Sequence, residues 1–282
     1  MIILGDTIKH TKATVDKLYL NSRQLKTIQW LSPPDPSTNY NKALQQRQEG
    51  TGLWFLKGDA FAAWKSQQNS SMWLYGIPGC GKTILSTSIV EHLRSFPGLT
   101  LLYFYFDFND VKKQSLEDVV KALISQLYHT CRDVQKPLDA LFSSYNEGRN
   151  QPSCESLCKV LLQMIEQAKD VWIVLDALDE CSTRKGRPTE GLLSWIRDLV
   201  NLEQRNIHLL VTSRPEEDIQ SGLDNLFNEG SKINIQSNLV TDDISAYIRA
   251  RVRDGEGLKR WQNRLDVQGE IEEKLIEGAK GM

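Results

Sequence analysis

Residues 71–84 read SMWLYGIPGCGKTI, a short apolar run that stops at Gly76 and gives way to Gly79, Gly81, Lys82 and Thr83. The stretch that follows, TILSTSIVEHLRSF (83–96), carries its apolar residues at helical spacing. Gly76 to Thr83 fits the pattern G-x-x-x-x-G-K-[ST], with an apolar strand before it and a helix after it, the context that pattern requires. Glycines at these positions let backbone N–H groups turn inward around phosphate oxygens. A helix opening near Lys82 aims its positive end at the same point. The nucleotide-binding candidates are therefore Gly76, Ile77, Pro78, Gly79, Cys80, Gly81, Lys82, Thr83 and Ile84. Lys82 is expected to reach the terminal phosphates, and Thr83 to offer its hydroxyl to Mg²⁺. The plainer alternative is a glycine-rich turn that holds nothing. Cys80 is either a small filler or a thiol activated by the helix end.

A second stretch answers the first. VWIVLDALDEC (171–181) runs from an apolar strand straight into Asp176, Asp179 and Glu180. Like charges so close need water or a cation. In P-loop enzymes an acid at the end of a strand beside the first holds Mg²⁺ through water, which makes Asp176 the metal candidate together with Thr83. Glu180, past the strand tip, is placed to polarise a water for attack on a γ-phosphate. Asp179 supports the metal, orients Glu180, or is simply solvated. A third stretch, HLLVTSRPEEDI, ends a strand in Arg214, which either faces the ligand crevice or pairs with Glu216, Glu217 or Asp218. The catalytic candidates are Glu180, Asp179 and Arg214.

Between these motifs the chain alternates strands with helices. Strands are expected at 71–76, 100–108, 171–176, 208–213 and 233–236, and helices at 83–96, 152–168 and 191–202. A helix also follows Ser115, where Asp118 completes a capping box. The strands are apolar throughout, which predicts a parallel sheet covered by helices on both faces. LSPPDPSTNYN (31–41) reads as a linker because of its three prolines, and residues 1–30 as a mildly amphipathic helical stretch. After residue 240 only helical patterns remain.

With 282 residues, 34 Lys+Arg against 36 Asp+Glu and a formal net charge of -2, nothing favours a nucleic-acid partner. No apolar run approaches the ~18–20 residues of a membrane span. The N-terminus lacks the layout of a signal peptide. Five irregularly spaced cysteines suggest reduced thiols in the cytosol. Cys154 and Cys158 share a helix face, but no second ligand pair stands nearby to make a metal site.

GIPGCGKT, VLDALDE and LLVTSRPE, in that order and spacing, resemble the NACHT module of signal-transduction P-loop ATPases with numerous domains, and fungal NOD-like receptors in particular. The similarity extends over roughly residues 28–282, with WLSPPDPSTNYNKALQQRQEGTGLWFL resembling the segment ahead of the nucleotide-binding domain. The resemblance implies a five-stranded P-loop NTPase core with helices on both faces, followed by a small helical domain. It implies a division into 1–27 (tail of an upstream helical region), 28–50 (linker), 51–237 (nucleotide-binding domain) and 238–282 (start of a truncated helical domain). It also implies a cytoplasmic switch in self/non-self recognition or programmed cell death. Such a switch uses Mg²⁺ with either ATP/ADP or GTP/GDP, hydrolyses slowly and forms a homo-oligomer on activation. Its effector and repeat domains would lie outside these residues. Two other readings stay open: a module that holds nucleotide and hardly hydrolyses it, and a small-molecule kinase, for which no Arg-rich lid is visible beyond RKGR (184–187), which looks like a solvated loop. Trp54 and Phe55 either line a base pocket or belong to the core.

Overall fold

The computed structural model describes residues 21–130, 132–186, 191–201, 206–235 and 237–279. The expected helical stretch before residue 21 lies outside them. A helix over 21–31 (α1) leads through the prolines to α2 (Ser37–Gln46), then α3 (Leu53–Leu56) and α4 (Asp59–Ser66). The alternating region follows: β1 (Ser71–Tyr75), α5 (Lys82–Arg94), β2 (Thr100–Tyr105), α6 (Leu116–Tyr128), α7 (Arg132–Ser144), α8 (Cys154–Gln167), β3 (Asp170–Asp176), α9 (Leu192–Val200), β4 (Asn206–Ser213), α10 (Glu217–Leu223) and β5 (Lys232–Asn234). Two helices, α11 (Ser237–Asp254) and α12 (Leu265–Ala279), close the described chain.

The five strands form one sheet in the order β2-β3-β4-β1-β5, with every neighbouring pair parallel. This is the P-loop NTPase fold, with helices on both faces of the sheet. One expectation is corrected. The strand ending in Asp176 is not beside β1, because β4 lies between them.

The strands are apolar throughout because successive residues feed two different cores. Trp73, Leu102, Phe104, Ile173, Leu175, Leu209 and Val211 point into one, packed with α1, α6, α7, α8, α9 and α10. Met72, Leu74, Tyr103, Tyr105, Val174 and Leu210 point into the other, against α2, α3, α4 and α5. Alternation of side chains along a strand makes this division automatic. A third, smaller cluster joins α11 to α12 through Ile248, Val252 and Ala279.

Several local expectations need revision. The proline-containing stretch is not a free linker. Pro34 and Pro36 are buried, Pro36 caps α2, and the Asp35 carboxylate accepts from Ser37 N at 2.8 Å and from Ser37 Oγ at 2.9 Å. Proline suits a helix start because the N–H it lacks has no intrahelical partner there. β2 stops at Tyr105, short of residue 108. Two helices lie outside the expected ones: α7, whose Val134, Leu138 and Phe142 fall at helical spacing although Pro137 lies inside it, and the short α10. The Ser115–Asp118 capping box is present, Ser115 Oγ accepting from Asp118 N at 3.2 Å. Among the described residues no helix is long and apolar enough to cross a membrane.

Candidate functional site

The loop between β1 and α5 is built by its glycines. A Cβ on Gly76 would sit 2.7 Å from Cys80 Sγ and 2.9 Å from the Ile235 carbonyl oxygen, so only glycine lets the loop pass there. Gly79 and Gly81 adopt φ of +83° and +89°, the left-handed region that favours glycine. Gly81 is the N-cap of α5, and Lys82 opens the helix. Lys82 Nζ donates to the Gly76 carbonyl at 2.8 Å and the Ile77 carbonyl at 2.9 Å, so its ammonium lies over the loop. Ile77 is exposed, whereas Cys80 is buried as a free thiol.

Helix α5 crosses the sheet face and carries this loop's hydroxyls to the end of β3. Thr83 Oγ1 donates to Asp176 Oδ2 at 2.7 Å, and Ser86 Oγ donates to Oδ1 at 2.6 Å. From the intervening strand β4, Thr212 Oγ1 donates to Oδ1 at 2.7 Å and accepts from Ala177 N at 3.0 Å. Asp176 is only 1% exposed. Burial pushes its carboxyl up; the three hydroxyls and the charge of Lys82 pull the other way without cancelling it. Ser86 and Thr212 escape the motif reading, though Ser86 lies one helical turn past Thr83, and Thr212 sits in the strand end already singled out.

Beyond Asp176 the backbone turns through Ala177, which holds a left-handed φ of 60° and ψ of 54°. A non-glycine residue pays for that conformation in strain, and such residues concentrate at functional sites. The turn delivers Asp179 and Glu180. Asp179 is not solvated; its side chain is 5% exposed. It accepts from Arg214 N at 2.9 Å and faces Arg214 Nε at 3.0 Å. Arg214 therefore pairs with Asp179, not with Glu216, Glu217 or Asp218. Two of those acids go instead to Arg184, whose Nη1 lies 2.9 Å from Glu216 and whose Nε lies 3.3 Å from Asp218. Arg184 also donates to the Asp179 carbonyl at 2.5 Å, so this residue of the RKGR stretch is a tie between loops rather than a solvated charge. Glu180 Oε2 accepts from Phe108 N at 3.0 Å. Burial raises its carboxyl, the Phe108 amide opposes this, and Asp179, Asp107 and Asp176 raise it further.

A cavity of about 210 Å³ adjoins the loop, lined among others by Thr51, Gly52, Trp54, Gly79, Val240 and Tyr247. Trp54 is on its wall, but Phe55 is core, 2% exposed. Asp243 on α11 accepts from Gly52 N at 2.7 Å across this cavity and ties α11 to the segment before α3.

The donor set suits a hard cation. Thr83 and Asp176 offer oxygen, which Mg²⁺ prefers, and Mg²⁺ needs few protein ligands when phosphates and water supply the rest. Among the described residues no group of three or more His, Cys, Asp or Glu could hold a metal by itself. The loop glycines leave the close backbone approach that a polyphosphate requires.

A family model described as "Nephrocystin 3, N-terminal" matches residues 50–214. The vegetative incompatibility protein HET-E-1 of Podospora anserina is 25% identical over 209 residues, covering 71% of this chain and 15% of that protein. A putative cell division cycle ATPase of Plasmodium falciparum (isolate 3D7) is 27% identical over 189 residues, covering 62% and 15% respectively. The chain thus spans about 15% of the length of these two curated relatives. Among solved structures, Cdc6p of Pyrobaculum aerophilum is 13% identical with a TM-score of 0.46, covering 79% of this chain and 59% of that one. A Walker-type ATPase of Pyrococcus abyssi is 13% identical with a TM-score of 0.47, covering 84% and 74%.

Proposed function

The chain belongs to the nephrocystin 3 N-terminal family and carries a NACHT-like P-loop module, and from that premise we propose that it is a nucleotide-controlled signalling switch with slow, Mg²⁺-dependent hydrolysis of a nucleoside triphosphate. The observation that carries this is the direct contact between the glycine loop's helix and the acidic strand end, Thr83 Oγ1 to Asp176 Oδ2 at 2.7 Å. Two motifs 93 residues apart in sequence meet in one place.

In this reading the backbone N–H groups of Gly79 to Thr83 bind the phosphates. Lys82 exchanges the carbonyls of Gly76 and Ile77 for phosphate oxygens. Thr83 and Asp176 would hold Mg²⁺, which when bound supplies charge neutralisation between the phosphates and the buried aspartate. To do so Thr83 rotates its hydroxyl so that a lone pair, not the proton, faces the site. Glu180 takes the proton of the attacking water. Asp179 fixes Arg214 at the end of β4, where its guanidinium can meet developing negative charge. The base sits in the cavity walled by Trp54 and Tyr247, with α11 as one side. Moving a switch from 1:99 to 99:1 takes about 5.5 kcal/mol of differential binding. Charge-assisted contacts at about 1.5–3 kcal/mol each make that attainable with two or three of them.

The name of the Podospora relative, a vegetative incompatibility protein, supports a place in incompatibility signalling; homo-oligomerisation on activation, with upstream effector and downstream sensing domains, is what the NACHT resemblance adds to the proposal. The division proposed is 28–50 ahead of the core, 51–237 as the nucleotide-binding domain and 238–282 as the start of a helical domain. A second reading is favoured by the Glu180 carboxyl. One of its oxygens, Oε2, is already committed to the Phe108 amide at 3.0 Å, and a carboxylate held in that way would leave the module holding nucleotide with little turnover.

A melting scan with ATP, GTP, ADP and GDP plus Mg²⁺ tests binding. Ligand at 100 times its Kd adds about 2.7 kcal/mol, or roughly 5 °C for a chain of this size. Lys82→Ala should abolish that shift while leaving the chain folded. If none of the four shifts the melt, the nucleotide reading is wrong. If binding survives but Glu180→Gln leaves phosphate release unchanged, the second reading replaces the first.

A further inference from the structure

Glu180 is gripped from outside its own loop. The Phe108 amide that donates to it belongs to the segment 106–115 between β2 and α6, and that segment is fastened at several points. Phe106 N extends the ladder to the Asp176 carbonyl at 3.1 Å. Gln114 Nε2 donates to the Phe108 carbonyl at 2.6 Å, and Ser182 N donates to the Gln114 carbonyl at 2.7 Å. These ties come from the core itself.

One tie comes from elsewhere. Asn39, on α2, donates through Nδ2 to Asp107 Oδ2 at 2.8 Å. Its Oδ1 accepts from Lys113 Nζ, which also donates to Thr38 Oγ1. Lys113 is a buried lysine, 3% exposed, with Asp110 3.7 Å away. The Asn39 amide thus sits between an ammonium and a carboxylate, its oxygen toward one and its nitrogen toward the other. Neither Ala nor Asp can reproduce both contacts. The second Asp107 oxygen accepts from Asn109 N at 2.9 Å, so the Asp107 carboxylate closes a turn around Phe108. The segment carrying Asn39 is itself well anchored, since Trp30 and Leu31 are buried and Trp30 Nε1 donates to the Asn150 carbonyl at 2.7 Å.

We propose that Asn39 is a positioning residue for Glu180, acting through Asp107 and the Phe108 amide, so that the segment ahead of the P-loop core sets the orientation of the water-activating carboxylate. This rests on the reading of Glu180 as that carboxylate. The Asn39 side chain reaches Glu180 through two hydrogen bonds and one peptide link, none of which includes a residue of the nucleotide loop. Loss of that one link would then alter turnover more than nucleotide affinity.

The test is Asn39→Ala in this chain, read in two ways. Native-state hydrogen exchange should show the Phe108 amide losing protection by about tenfold, the effect of one lost hydrogen-bond restraint, while amides of Leu74 and Val174 keep theirs. Steady-state hydrolysis with saturating Mg²⁺-nucleotide should show kcat falling several-fold and KM staying within twofold. Asn39→Asp, which keeps the Lys113 contact and sets like charge against Asp107, should reproduce both if the alanine variant folds poorly. Unchanged Phe108 protection, or a loss shared equally by all three amides, overturns the coupling. So does an unchanged kcat where Glu180→Gln lowers it. If Glu180→Gln turns over like wild type, the base assignment fails, and hydrogen exchange alone decides whether Asn39 holds the loop.

Discussion

Thr212→Val asks how much of this fold's stability is invested in holding the Asp176 carboxyl in place. Valine matches threonine in shape, and Thr212 is 0% exposed, so packing changes little. What goes is a hydrogen bond to a carboxylate at 2.7 Å and the acceptor for Ala177 N at 3.0 Å. A hydrogen bond to a charged group contributes about 1.5–3 kcal/mol, and an orphaned buried amide costs about 1–3 kcal/mol. Ser86 still serves the same carboxylate oxygen, which argues for the low end of the first range. The expected loss is about 3 kcal/mol, a large share of the roughly 5–15 kcal/mol that holds a domain together. Urea unfolding followed by tryptophan fluorescence, with m unchanged, gives the number. In an Asp176→Asn background the cost should shrink by about 0.5–1 kcal/mol, since a bond to a neutral acceptor contributes that much less. A Thr212→Val variant within about 0.5 kcal/mol of wild type would refute the network, because surface-like changes already produce that much. An equal cost in both backgrounds would show that charge plays no part.

Two further outcomes follow from the glycines and from a buried histidine. Gly76→Ala should destabilise by about 2–3 kcal/mol and abolish the nucleotide-induced melting shift, because its Cβ would press on the Ile235 backbone; Gly81→Ala, with open space but a φ of +89°, should cost only about 1–2 kcal/mol. His208 stacks on Trp172 at 4.3 Å and meets Ser70 Oγ at 2.8 Å, and burial holds it below its ordinary 6.5 despite the Trp64 carbonyl and Asp170. Its contribution is therefore complete above pH 6.5 and is lost as pH falls below that value, and His208→Gln should flatten the acid side of a stability-against-pH curve.

Much of the architecture was legible because it is local. The glycine loop, the capping box at Ser115 and the fully apolar strands each declare themselves within a dozen residues. The sheet order was not, because nothing in the periodicity of HLLVTS says that it inserts between the two motif strands. Proline misled twice. Pro34 and Pro36 read as breakers yet set up the start of α2, and Pro137 obscured α7, whose other residues are ordinary helix formers. At the site, Asp176 follows from its position at a strand end, whereas the partner of Arg214 depends on a turn at Ala177 that no local pattern announces. Asn39 and Phe108 were invisible for the same reason: the link runs from a side chain to a main-chain amide contributed by distant segments.

The insertion of β4 between β1 and β3 has a geometric corollary. Adjacent strands lie about 4.8 Å apart, so one interposed strand sets about 10 Å between the axes of the strand that ends in the glycine turn and the strand that ends in the acid, a distance bridged by Thr83 from α5 and Thr212 from β4. That width is dictated by main-chain ladders and is indifferent to side-chain identity. Mutation can change which side chains bridge that spacing, but only deletion of a whole strand could shorten it.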